Sequence, residues 1–272
     1  MKTLQNQTLL YDEDCPLCSV YTAGFIKAGM LDQNGKKPFS NLSADDLQIV
    51  DIKRASNEIA LVDNINKTVR YGIDSLLAVI GNSFPIMEKA GRVKPLNYLL
   101  KKLYSFISYN RKVIIPNKNT DSAISCVPDF SYKYRFLYIA FSIAVTATML
   151  YSFSGLITLI PNANFNRELL LATLQLLFQG MFLSRQNRQA VINYFGNLMT
   201  VSLMGSLLLI PIILLNKLII MPEIIILVWF GLTVVIMFAE HFRRIRLLEL
   251  PSYLCLTWVL YRLIALILLL NL

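Results

Sequence analysis

The sequence predicts two parts: an α/β domain over residues 1–128, then an all-α transmembrane domain of about five spans over residues 129–272. Three observations predict this. The chain is 55% hydrophobic and only 16% charged, an average weighted toward membrane proteins. That average hides a break: up to Pro128 the residues mix charges, Asn/Asp/Gly turns and short apolar runs, whereas from Phe136 onward long apolar runs follow one another. Each run approaches the roughly 20 residues that a spanning helix needs. Finally, the N-terminal part opens with a strand pattern, a sharp turn and a helical pattern.

The first element is Thr3–Tyr11, a strand ending in the apolar Leu9-Leu10-Tyr11. Asp12-Glu13-Asp14-Cys15-Pro16-Leu17-Cys18 turns the chain into a helix, where Leu17, Val20, Tyr21, Gly24, Phe25 and Ala28 fall at helical spacing. Pro16 suits the first helical position, since its missing N–H has no partner there, and Gly29 supplies the stop. Glu58–Val62 and Thr68–Tyr71 read as paired strands joined by the Asn- and Asp-rich Asp63–Lys67. A short helix over Ile73–Ile80 ends at Gly81-Asn82. A longer one over Pro95–Asn110 carries an apolar stripe of Leu96, Leu99, Leu100, Leu103 and Ile107. Packing in the domain core is the expected role of that stripe, with docking on a membrane surface as the alternative.

The membrane half divides into Phe136–Ile160, Leu169–Ser184, Val191–Leu215, Ile224–Ala239 and Tyr253–Leu272. The breaks, at Pro161-Asn162, Arg185–Gln189, Asn216–Pro222 and Glu240–Pro251, carry turn or charged residues. The second run is the weakest, being short and holding Gln175 and Gln179. Tyr132, Lys133, Tyr134 and Arg135 form an aromatic and basic collar before the first span. Lys133, Arg135, Arg185, Arg188, Arg243, Arg244 and Arg246 fall on the side of the N-terminal domain, against Arg167 and Lys217 opposite. The positive-inside rule then sets the N-terminal domain in the cytoplasm and the C-terminus outside, in an inner (plasma) membrane. Met1–Leu10 is too polar for a cleavable signal. Much of the net charge of +9 sits at span ends or in Arg92–Lys118, which fits anionic lipid rather than nucleic acid. Arg262 lies within the last run, either paired with Glu240 or another anion or reaching an interface. His241, the only His, is expected as an interfacial residue.

The chemistry lies in Cys15 and Cys18. A Cys at a helix N-cap meets unpaired backbone N–H groups and the positive dipole end, which stabilise a thiolate. Cys15 is therefore the expected exposed nucleophile, and Cys18, nearly one turn on, the shielded resolving thiol. Asp12, Glu13 and Asp14 oppose this by raising the Cys15 pKa, although Asp12 can serve as proton acceptor for Cys18. Three other chemistries compete. Structural zinc needs two further ligands, with only Cys126, Cys255 and His241 left to supply them. A haloacid-dehalogenase-type phosphatase opens on a similar Asp-x-Asp but lacks the downstream acidic pair here. An inert disulfide is at odds with a reducing cytosol. Cys126 is a third thiol, either exchanging with the pair or simply juxtamembrane.

These residues resemble the DCC family of thiol–disulfide oxidoreductases, thioredoxin-like domains named for an Asp-x-x-Cys-x-x-Cys signature. The resemblance covers about Thr8–Ile115 and rests on Tyr11–Cys18, on Tyr71-Gly72-Ile73-Asp74-Ser75, and on Tyr104 with Tyr109-Asn110-Arg111. It implies an α/β thioredoxin-like fold with Asp12, Cys15 and Cys18 as active residues, and Asn110 and Arg111 as a second motif near them. Glu13 stands where the family usually has Gly, and no Pro between Phe39 and Phe84 offers the cis-proline that thioredoxins set opposite the site. The expected function is a membrane-anchored thiol–disulfide oxidoreductase without cofactor or metal. Its expected partners are a protein or small-molecule thiol/disulfide substrate, the lipid bilayer and a membrane protein, with no nucleic acid. The alternative is a non-enzymatic membrane adaptor or transporter accessory.

Overall fold

Consecutive apolar residues in a strand point to opposite faces, so a run such as Leu9-Leu10 forms a stable strand only where both faces are covered. That is the situation of β1 (Gln7–Tyr11) in the computed structural model, which describes residues 2–117, 128–161 and 164–271. Leu9 packs with Leu31, Ile59, Leu61 and Val79 on one face. Leu10 packs with Phe39, Val50, Ala60 and Val62 on the other. The chain divides into two compact units, Met1–Tyr134 and Arg135–Leu272.

In the first unit, β1 is followed by α1 (Pro16–Lys27), β2 (Lys36–Pro38), a 3-10 turn (Phe39–Asn41), α2 (Ala44–Ile49), α3 (Ile52–Asn57), β3 (Ala60–Asp63), β4 (Thr68–Tyr71), α4 (Ile73–Ser83), α5 (Pro85–Gly91) and α6 (Lys94–Ile114). The four-stranded sheet has the order β2-β1-β3-β4. β1 runs parallel to β2 and antiparallel to β3, with Leu9 opposite Leu61, and β3 runs antiparallel to β4. Gly29, at φ +67°, follows α1 in the left-handed region that favours glycine. α2 starts at a capping box between Ser43 and Asp46, and α3 at Asp51, whose carboxylate accepts the Arg54 N–H at 2.9 Å. The sequence reading had no element at β2, α2, α3 or α5, which are too short for a hydrophobic period to show.

The stripe on α6 is a correction. Leu96, Leu99, Leu103 and Ile107 are 39–61% exposed and Leu100 is half-buried, and none of the five joins a buried core cluster. The inward face is polar instead. The Tyr104 hydroxyl accepts the Ile59 N–H at 2.7 Å, Ser108 Oγ donates to Asn57 O at 2.5 Å, and an Arg111 NH2 donates to Ser56 O at 3.0 Å. These side chains satisfy backbone groups at the entry to β3 that would otherwise be buried without partners, and that demand outranks leucine burial on this helix.

In the second unit, α7 (Tyr132–Ser154, beginning just before the boundary), α8 (Phe165–Met181), α9 (Arg188–Leu208), α11 (Glu223–Leu247) and α12 (Tyr253–Leu270) pack around Tyr194, Leu198, Met199, Leu254 and Trp258, while α10 (Ile210–Leu218) packs through Ile212 and Ile213 in a second cluster with Phe153, Leu209 and Ile226. α9 and α10 meet at Leu209, just before Pro211, whose ring cannot sit in an unbroken helix. Four helices are long and apolar enough to cross a membrane: Tyr132–Ser154, Arg188–Leu218 taken through that break, Glu223–Leu247 and Tyr253–Leu270. Side chains such as Val235, Leu256 and Ile267 are left outward on them, so this is a membrane protein. Of the five expected spans, these four meet the length and composition of a crossing helix. α8 is a helix of 17 residues with Glu168, Gln175 and Gln179 buried along it.

His241 differs from expectation, and for Glu240 one of the two alternatives falls away. His241 is buried, with Nε2 3.2 Å from the Tyr194 hydroxyl and its ring stacked on Trp258 at 5.6 Å. Glu240 pairs with Arg243 at 2.7 Å and Arg244 at 2.8 Å, not with Arg262.

Candidate functional site

The Cys-x-x-Cys segment is held by its own backbone turn. Cys15 N–H donates to Asp12 O at 3.1 Å, and Ser19 N–H donates to Cys15 O at 3.0 Å, so Cys15 caps α1 with an extended backbone (φ −99°, ψ 107°) and Pro16 at its first position. Glu13 is absent from the positive-φ residues, Asn6, Lys67 and Glu249 being the non-glycine cases. The turn therefore accepts a side chain where the resembled family has Gly.

Both cysteines are free, and both are buried, Cys15 at 1% exposure and Cys18 at 4%. This corrects the expectation of an exposed Cys15. The chain just after α6 is tied to the same turn, where Asn117 Nδ2 donates to Asp14 O at 3.0 Å.

The electrostatics separate the two thiols. The Cys18 thiol donates a hydrogen bond to Cys15, which together with the Cys18 N–H and the Arg111 charge outweighs burial and lowers the Cys15 pKa to about 6. The same hydrogen bond and burial push Cys18 far up. Tyr21 hydrogen-bonds to Cys18, and its own hydroxyl is pushed up by burial and then by Cys18. Sequence reasoning weighed the acidic neighbours against Cys15. Among them Asp12 does act in that direction, but as the smallest of the causes.

Asp12 is 5% exposed, with Oδ1 accepting the Asp14 N–H at 3.1 Å. Its Oδ2 lies 3.5 Å from an Arg111 NH2 and 4.0 Å from Lys112 Nζ. Burial pushes its pKa above the usual carboxylate range, against the pull of Lys112 and Arg111. The structure thus brings together Asp12, Cys15, Cys18 and Arg111. Asn110 is fully buried beside them in sequence but turned to other work, with Nδ2 donating to Phe106 O at 2.8 Å and Tyr134 O at 3.0 Å. Cys126 lies outside the described residues.

Two side chains escaped the sequence reading as site residues. Tyr21 stood within the helical apolar pattern, which gave no sign that its hydroxyl meets Cys18. Lys112 reaches Asp12 from the last turn of α6, a meeting that no sequence spacing announces. Gly72, from the second motif, sits at φ +61°, and a Cβ there would lie 3.0 Å from Glu58 Oε2 and 3.4 Å from the Tyr104 ring. The glycine thus permits the close approach of β4, α4 and α6. Among the described residues no three His, Cys, Asp or Glu side chains converge so as to hold a metal ion.

The arrangement has the parts for thiol exchange: a stabilised thiolate, a proton-holding second thiol, a buried carboxyl and a guanidinium. Comparison with protein-family models, with curated proteins and with solved structures found no match.

Proposed function

We propose that this membrane protein is a thiol–disulfide oxidoreductase with a thioredoxin-like N-terminal domain resembling the DCC family. The observation that carries the reading is Cys15 at the α1 N-cap, holding a hydrogen bond from Cys18 and lowered to about 6 beside Arg111. A thiolate populated near neutral pH, backed by a thiol one turn later, is the working pair of disulfide exchange. The sheet order β2-β1-β3-β4, with β1 and β2 parallel and the motif directly after β1, supports the fold part of the reading.

The proposed cycle balances as follows. The Cys15 thiolate attacks one sulfur of a substrate disulfide, forming a mixed disulfide and releasing the first substrate thiolate. Cys18 then loses its proton to Asp12 and attacks the Cys15 sulfur. The second substrate thiolate leaves and an internal Cys15–Cys18 disulfide remains. The substrate gains two electrons and the protein loses two, to be returned by a dithiol donor. Arg111 supports both steps by offsetting negative charge on Cys15 and Asp12.

Topology is part of the proposal. At 17 residues α8 rises about 26 Å, short of a hydrocarbon core of about 30 Å. Counted as a crossing segment with thinned or snorkelling ends, it gathers Lys133, Arg135, Arg185, Arg188, Arg243, Arg244 and Arg246 on one side. That side is the cytoplasm by the positive-inside rule, with the N-terminal domain there, the C-terminus outside and the host an inner membrane. A cytoplasmic setting makes reduction of substrate the favoured direction.

The deciding experiment equilibrates the full-length protein across thiol–disulfide buffers and traps free thiols. A reversible Cys15–Cys18 disulfide, lost on changing either Cys to Ser, supports the proposal. Thiols that stay reduced throughout refute it. One observation, the 1% exposure of Cys15, favours a second reading as a non-enzymatic membrane adaptor or transporter accessory. That reading predicts an unchanged cellular phenotype in Cys15→Ser.

A further inference from the structure

The helical unit holds a cavity of about 550 Å³, bounded by α7, α8, α9, α11 and α12. Its size is that of a small-molecule site. Most of the wall is apolar, with Phe230, Leu266 and Leu269 among the lining side chains. Its polar lining includes Thr146, Glu168, Gln175, Ser202 and Arg262.

Those polar groups share an unusual condition. Thr146, Gln175 and Ser202 are 3–5% exposed, yet Thr146 Oγ1, Gln175 Nε2 and Ser202 Oγ have no hydrogen-bond partner among the described residues, nor does Arg262 Nε. Buried polar groups are almost always paired, so four orphans along one cavity point to a molecule that completes them. The charges narrow its chemistry. Glu168 is answered by Arg167 at 2.6 Å. Arg262 has no carboxylate within 4 Å among the described residues. Its polar contact is Gln175 Oε1 at 3.4 Å, and its guanidinium lies 4.7 Å from the Trp258 ring centroid. Arg262 also sits near the middle of α12, where a cation without a counter-ion is costly.

We infer that this cavity binds an amphipathic anion, an oxyanion headgroup on an apolar tail. Arg262 supplies the charge, while Gln175 Nε2, Thr146 and Ser202 supply neutral donors. The Trp258 ring gives the guanidinium a cation–π contact, and the fork of the guanidinium suits a grip on a carboxylate or phosphate. The apolar wall takes the tail. This inference is independent of the thiol chemistry, because every residue it uses lies in the helical unit.

The test uses full-length protein in phosphatidylcholine nanodiscs. Saturation binding is measured with radiolabelled palmitate and with hexadecyl phosphate, and hexadecanol serves as the uncharged competitor. We expect saturable binding of at least one anion, not displaced by hexadecanol, and the tighter of the two identifies the headgroup as carboxylate or phosphate. Arg262→Gln weakens that binding by at least about tenfold, Arg262→Lys, which keeps the charge and loses the fork, binds between Arg262→Gln and the wild type, and Ala265→Phe, which fills the cavity, removes it with Arg262 in place. Absence of saturable binding by both anions overturns the inference. So do displacement by hexadecanol at matching concentration, and Ala265→Phe binding as the wild type does. If Arg262→Gln is not monodisperse, the Arg262→Lys and Ala265→Phe pair decides.

Discussion

Replacing Cys18 by Ala removes the largest of the influences that lower the Cys15 pKa, and burial of Cys15 then acts against a weaker opposition. The wild-type value of about 6, against an ordinary thiol near 8.5, corresponds to a preference for the thiolate on the order of 3 kcal/mol. At about pH 7 the wild-type thiol is roughly nine-tenths ionised, and one at the ordinary value about 3%, a roughly 30-fold difference in thiolate. Reaction rate is a poor readout of that difference. Nucleophilicity rises with pKa at a Brønsted slope of about 0.4–0.5, so a rise of about 2.5 units returns roughly 13-fold and leaves about a twofold net change. The informative assay is the midpoint of ultraviolet thiolate absorbance against pH in the reduced full-length protein, with Cys15→Ser subtracted as background. It requires no access to the buried sulfur. The expected midpoint is near 6 in the wild type and above about 8 in Cys18→Ala. A wild-type midpoint already above about 8, or one that stays put in Cys18→Ala, would refute the reasoning.

The other predictions concern stability and access. Arg111→Met removes the bond to Ser56 O and the closest cation to Asp12; it destabilises the protein by about 1–3 kcal/mol and raises the Cys15 midpoint by less than Cys18→Ala does, as denaturant unfolding and the same titration will read. Because Cys15 is lowered, its contribution to stability is present above the ordinary thiol pKa and lost as pH falls toward about 6; the melting temperature of reduced protein should fall across that window, and the slope should flatten in Cys15→Ser. Leu99→Ala, on the exposed stripe of α6, should cost under about 0.5 kcal/mol, whereas Leu61→Ala, in the core at 1% exposure, should cost about 2–5 kcal/mol; equal costs in chemical denaturation would return the stripe to the core. Asn117→Ala should speed alkylation of Cys15 by a small maleimide without moving its titration midpoint, because it loosens the turn that holds Cys15 and leaves the charges in place.

Legibility in the sequence followed the strength of the local signal. β1, α1, β3, β4 and α4 announce themselves through continuous apolar strands, an Asn/Asp turn, a proline start and a glycine stop, and the structure has them within a few residues of the expected ends. β2 could not be read, because Lys36-Lys37-Pro38 becomes a strand only by pairing with Leu9-Leu10-Tyr11. α2 and α3 are capped by Ser43 and Asp51, but six-residue helices carry too few apolar positions to show a period. At the site, Asp12, Cys15, Cys18 and Arg111 were legible as motif residues. The burial of Cys15 was not, since it depends on how distant parts of the fold pack over the turn. Asn110 shows the converse limit: it neighbours Arg111 in sequence, yet the rotation of one helical residue turns it toward Phe106 O and Tyr134 O.

The exposed stripe and the tie on the Cys15 turn have one origin in α6. Tyr104, Ser108 and Arg111 lie four and three residues apart, which puts them on one helical face. That face meets the backbone from Ser56 to Ile59, and its last member continues inward to Asp12. Anchoring these polar groups fixes the rotation of the helix. Leu99 and Leu103, well round the helix from that face, then point outward whatever their hydrophobicity. The same rotation carries Lys112 to within 4.0 Å of Asp12 and directs the following chain across the Cys15 turn, where Asn117 holds Asp14 O. One helix therefore supplies the guanidinium that favours the Cys15 thiolate and leads into the residue that ties down its turn. The outward leucines and the tied-down cysteine turn are consequences of a single choice of face, so a perturbation that rotates α6 should alter both together.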